Sequence, residues 1–100
     1  MLLVKPLEGL GDIVGVIMDF EKVGDVLSKH NHDEKSVHIT IVARGSVKIS
    51  SHDWKKTVVA GQIVDFRPYE PHEIEALEDN TRIVNIVKKY GGVNAHYGQE

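Results

Sequence analysis

Cysteine is absent from this chain of 100 residues. Its absence excludes disulfides, Cys-ligated zinc, iron–sulfur clusters and thiol catalysis. It also accords with a reducing compartment. Long apolar runs are missing too. A membrane-spanning helix needs roughly 18–20 apolar residues, whereas stretches such as Ile13–Met18 are of strand length. The segment Met1-Leu2-Leu3-Val4-Lys5-Pro6 has no basic region ahead of its short apolar part, so it does not read as a secretory signal. The expectation is a soluble, cytoplasmic protein with no membrane partner. Charge of one sign is scarce: the net charge is -3 and the pI about 6.0, which leaves no electrostatic footprint for nucleic acid. The lysines are scattered or occur in short pairs, Lys55-Lys56 and Lys88-Lys89, as on a solvated surface.

What remains is an ordinary globular composition, 41% hydrophobic and 27% charged. The length suits one domain over residues 1–100 with a single modest core. No repeat, linker or low-complexity segment interrupts it. Short β-branched runs alternate with turn residues. Ile13–Met18, Val37–Ala43, Ser46–Ser50, Lys56–Val59, Ile63–Phe66, His72–Leu77 and Thr81–Lys88 read as strands. Between them Arg44-Gly45, Ser51-His52-Asp53, Ala60-Gly61 and Glu78-Asp79-Asn80 read as turns, and Arg67-Pro68-Tyr69-Glu70-Pro71 cannot be regular structure. Only Phe20–Ser28 could hold a helical turn, and Gly24 argues against it. Short strands at this spacing predict an all-β sandwich or barrel. The Gly-rich tail, residues 91–100, is expected to be mobile or docked on a partner.

Six histidines stand in the chain. His30 and His32 are two apart, so on an extended strand they project from one face. His38 opens the next strand. His72 begins a strand far along the chain, directly after the Pro-limited loop. A barrel can bring such separated strands together, and neutral imidazole binds zinc, iron, nickel and copper. An H-x-H pair alone is weak, because a lone histidine is more often a surface or hydrogen-bonded residue. His52, at a hairpin tip, and His96, in the tail, stay under that bland reading.

These residues resemble the two motifs of the cupin superfamily. The first is usually written G-x5-H-x-H-x3-4-E-x6-G; here Gly24, five residues, His30, Asn31 and His32 are followed by His38, six residues and Gly45. The second is usually written G-x5-P-x-G-x2-H-x3-N; here Gly61, five residues, Arg67, Pro68, Tyr69, two residues and His72 follow it, with Ala76 at the last position. The resemblance runs from Gly24 to Ala76, motif 1 spanning 24–45 and motif 2 spanning 61–76. It implies a cupin-type jelly-roll β-barrel. It also implies that His30, His32, His38 and His72 hold one divalent transition metal: iron, manganese, nickel, copper or zinc. There are departures. His38 stands where the family usually has glutamate, and five residues rather than three or four separate it from His32. The alternatives for His38 are a supporting or solvent-facing histidine at the barrel mouth, with Glu34 reaching in from the connection instead. Arg67, Tyr69 and Ala76 replace proline, glycine and asparagine.

The resemblance implies two kinds of function. One is a metal-dependent enzyme, a dioxygenase, lyase or isomerase, acting on a small oxygenated or anionic substrate. Tyr69 or Glu70 could then serve as acid or base, and Arg67 could bind a carboxylate; a solvated loop is the competing reading for all three. The other is a metal-dependent small-ligand binder without turnover. A structural barrel with vestigial histidines ranks last, since converging histidines without a metal repel when protonated. Asn85, inside the apolar run Ile83–Val87, either faces a ligand or is a hydrogen-bonded core amide or solvent-facing group. Trp54 either stacks on a ligand or packs at a core or interface. Family habit implies a homodimer.

Overall fold

The computed structural model describes residues 1–8, 13–30, 36–66 and 70–89, with backbone alone at 29, 30, 36, 37 and 89. Nine strands run through them: β1 (Leu2–Leu7), β2 (Ile13–Phe20), β3 (Val26–His30), β4 (Ser36–Arg44), β5 (Ser46–Ser50), β6 (Lys55–Val59), β7 (Ile63–Asp65), β8 (His72–Ala76) and β9 (Thr81–Lys89). There is no helix among the described residues. Phe20 ends β2, a turn follows at Val23-Gly24, and the chain is extended again from Val26. The strands form two antiparallel sheets. Sheet A has the order β1-β2-β9-β4-β7 and sheet B the order β3-β8-β5-β6.

Alternation decides which side chains meet between the sheets. In β8 every second residue is buried, His72, Ile74 and Ala76, while Glu73 and Glu75 point outward. On the outer face Glu75 faces Lys48 of β5 across the ladder, with their charged groups 3.3 Å apart. In β4 the same period buries His38, Thr40 and Val42. The core joins Met18, Phe20, Val42 and Ile83 of sheet A to Val47, Ile49, Val58, Ile74 and Ala76 of sheet B.

The two ends of this barrel differ. At one end the chain crosses between sheets by tight turns, from β4 to β5 through Gly45 and from β8 to β9 through Asn80. Gly45 has φ +82°, and a Cβ there would lie 2.3 Å from Thr81 Oγ1, so both the backbone and the space require glycine. Phe20, Val42, Val47, Ala76, Thr81 and Ile83 close this end without solvent exposure. At the opposite end β3 finishes, β4 and β8 begin, and the β5–β6 hairpin turns through Ser51-His52-Asp53. β1 is a strand that the sequence pattern did not suggest. Pro6 lies in it, which sheet A tolerates because β1 is an edge strand.

Candidate functional site

The second end collects the histidines. His30 is the last residue of β3 and His72 the first of β8, and the two are cross-strand partners. A register shift between Leu27 and His30 brings them opposite; such an irregularity re-aims a strand end. His38 lies near the start of β4 on the interior face and is 9% exposed. Three of the four residues expected as ligands therefore come to one end of the barrel, His30 by its backbone and His38 and His72 as buried side chains. His32 falls outside the described residues, as do Glu34, Arg67, Tyr69 and His96.

His72 is the best-defined member. It is 1% exposed. Its ring lies flat on Phe66, with centroids 3.7 Å apart and planes 6° apart. Its Nδ1 is 3.1 Å from the backbone carbonyl oxygen of Glu70. A carbonyl only accepts, so Nδ1 donates and carries the proton. This bond holds the ring in one orientation, with Nε2 on its far edge. That is the arrangement by which a backbone carbonyl prepares a histidine to bind a metal through its other nitrogen. Phe66 reaches this place because β7 runs beside β4 with Asp65 opposite Ile39, which brings the next residue level with His38.

Glu70 is fixed by the same cluster. Trp54 Nε1 donates to its Oε2 at 2.8 Å. Ser51 Oγ donates to the Pro71 carbonyl at 2.5 Å. The β5–β6 hairpin thus pins the segment leading into β8, and with it the approach to His72. Among the residues weighed as acid, base or anion binder, Glu70 alone lies within the described part, with its carboxylate engaged by an indole rather than free in solvent. Trp54 is half-buried against the core, as the packing reading expected. Sequence reasoning missed both its partner Glu70 and the Phe66–His72 stack. Neither leaves a periodic signal, since Trp54, Glu70 and Phe66 all lie outside the strands.

Deeper in the barrel, Thr40 of β4 faces Asn85 of β9, and Thr40 Oγ1 donates to Asn85 Oδ1 at 2.9 Å. Asn85 is therefore an inward amide with a hydrogen bond, half-buried between the histidine end and the apolar end. His52 is exposed in its turn. The interior grades from apolar at the closed end, through this hydroxyl–amide pair, to imidazole at the histidine end.

No protein-family model matches the sequence, and the search of curated proteins finds no match. Solved structures do match the fold. KdgF from Halomonas sp. superposes with a TM-score of 0.78 at 20% identity, over 88% of this chain and 78% of that one. A cupin 2 conserved barrel domain protein from Salinispora arenicola gives 0.79 at 16% identity, over 99% and 85%. The Cupin_2 domain of an XRE family transcriptional regulator from Enterobacter cloacae gives 0.74 at 16% identity, over 87% and 95%. With two antiparallel sheets around one core, no helix among the described residues and these neighbours, the chain has the cupin fold, a jelly-roll β-barrel.

Proposed function

We propose that this protein binds one divalent transition metal through His30, His32, His38 and His72, and uses it as a metal-dependent enzyme on a small oxygenated or anionic substrate. The observation that carries this reading is His72, buried, in register with His30, and held in orientation by the Glu70 carbonyl at its Nδ1 and by Phe66 on its ring face. Imidazole donors favour iron, manganese, nickel, copper or zinc over calcium or magnesium. Four neutral histidines leave the full charge of the ion uncompensated. When bound, such an ion supplies Lewis acidity and a site for anionic or chelating ligands. The protein's share is to orient the imidazoles, to shield them with Phe66, and to present the Thr40–Asn85 pair beneath the site.

Oxygen uptake with a panel of small diketones, hydroxy acids and thiols tests the oxygenase form. Proton exchange or product formation with hydroxy and keto acids tests the lyase and isomerase forms. Absence of turnover with all loaded metals contradicts the enzyme reading.

A second reading, metal-dependent ligand binding without turnover, is favoured by one observation. The carboxylate nearest in sequence to His72 on the preceding loop, Glu70, is held by Trp54 and is not poised as an acid or base. The similarity in fold to a regulator's Cupin_2 domain supports the same reading. Tight ligand binding with no turnover would establish it.

Support for a homodimer comes from the outer face of sheet A. Ile17, Val84, Ile41 and Ile63 stand side by side across four strands, and Ile86 and Ile39 extend the row. The outer face of sheet B instead carries Lys48, Thr57, Glu73 and Glu75. A continuous apolar patch on one face marks an interaction surface. Val84→Lys at its centre should convert a dimer to a monomer in analytical ultracentrifugation; a monomer before mutation would overturn this part.

A further inference from the structure

The barrel is incompletely closed along one side. β6 is the edge of sheet B and β7 the edge of sheet A, and no ladder joins them. Between them opens a cleft of about 880 Å³, within the range of small-molecule sites. Its floor is apolar, made by Ile49, Val58, Val64 and Trp54. Ile49 and Val58 are buried core residues seen from the side.

One charged residue shares that inner face. Lys56 pairs with Ile49 across the β5–β6 ladder, two residues before buried Val58. By alternation it is directed to the same side as the floor. It is exposed and forms no ion pair with any described residue, in contrast to Lys48 one strand over. Lys55 also lines the mouth, and Asp65 on β7 is the one carboxylate among the described lining residues. The balance at the mouth is cationic over an apolar floor.

We propose that this cleft binds a small amphipathic anion, with its apolar body on the Trp54–Val58–Val64 floor and its carboxylate, sulfonate or phosphate head on Lys56. No histidine is among the described lining residues, although Trp54 of the floor also holds Glu70. The cleft needs no metal, so its test stands apart from the proposed metal function.

Trp54 is the sole tryptophan of the chain, so its emission reports on the cleft directly. The experiment titrates decanoate, below its micellar range, into the full-length protein in excess EDTA, and repeats the titration with 1-decanol and decyltrimethylammonium. The expected result is a saturable blue shift with decanoate, at least about tenfold weaker binding of the alcohol, and weaker still of the cation. Lys56→Met keeps length and removes charge; it should lower decanoate affinity by about tenfold and leave that of decanol unchanged. No saturable shift, equal binding of the three head groups, or an unchanged preference in the Lys56→Met variant would each overturn the proposal. The head-group series on the unaltered protein decides the matter by itself if the variant does not fold.

Discussion

Phe66 lies face to face with His72, ring planes 6° apart and centroids 3.7 Å apart. The contact joins the end of β7 in sheet A to the start of β8 in sheet B. It therefore ties the two sheets together at the end where the barrel is most polar, and it limits rotation of the imidazole from one side. The Glu70 carbonyl fixes the same ring from its Nδ1 edge.

Replacing Phe66 with leucine keeps an apolar side chain of similar volume, so global stability should fall by less than about 1.5 kcal/mol. The ring support is lost, and affinity for the bound metal should fall by about tenfold, the usual cost of removing a group that orients a ligand. Urea unfolding of the metal-free protein and competitive metal titration measure the two effects separately. Unchanged metal affinity would show that the stack is packing alone.

The Gly45 corner offers a sharper structural test. Gly45→Ala puts a methyl group 2.3 Å from Thr81 Oγ1 and 3.0 Å from Thr81 Cα, at φ +82°. Backbone strain of about 1–2 kcal/mol is compounded by overpacking of about 1–3 kcal/mol. Gly24 also has positive φ, +92°, but open space around it, so Gly24→Ala should lose only the strain part, about 1–2 kcal/mol. Equal losses in thermal or urea unfolding would contradict the crowding at the β4–β5 crossing.

Acid stability should depend on Asp19. Arg82 faces it across the β2–β9 ladder and donates twice, Nε to Oδ1 at 2.7 Å and Nη2 to Oδ2 at 2.9 Å. These bonds hold the Asp19 carboxyl below the usual carboxylate range. A depressed folded-state value means that the stabilisation is present above the unfolded pKa of about 3.9 and is lost as pH falls through the lower folded value. Asp19→Asn should therefore cost about 1 kcal/mol at pH 7, since the pair is partly exposed. The difference from the parent should vanish in strong acid. A constant difference from pH 7 down to pH 2 would show that the carboxylate charge contributes nothing.

Much of the barrel was legible because alternation leaves a plain record in the buried strands. Ser46-Val47-Lys48-Ile49-Ser50 and His72-Glu73-Ile74-Glu75-Ala76 state their inner and outer faces directly. Asn85 stayed open between the two faces, because Val84 and Ile86 make the other face apolar as well, and the structure places it inward with a hydrogen bond from Thr40. β1 was not legible, because Pro6 reads as a break when the strand's place at a sheet edge is unknown. β3 was obscured because Phe20–Ser28 was read as the one stretch that could hold a helical turn. The site was legible as a set of histidines and illegible as a set of supports. His30 opposite His72 follows from barrel closure, whereas Trp54 on Glu70 and Phe66 on His72 depend on how loops return, which no period encodes.

The central claim is a metal held by the histidines at one end of the barrel. It is tested most directly by elemental analysis of untagged protein, loaded with iron, manganese, nickel, copper and zinc salts in turn and then desalted. The parent and His52→Gln should retain near one ion per chain with at least one of these metals and release it as pH falls through about 6.5, where free imidazole protonates. His72→Gln should stay folded and retain well below that. Negligible metal in the parent, or full retention by His72→Gln, would contradict the account.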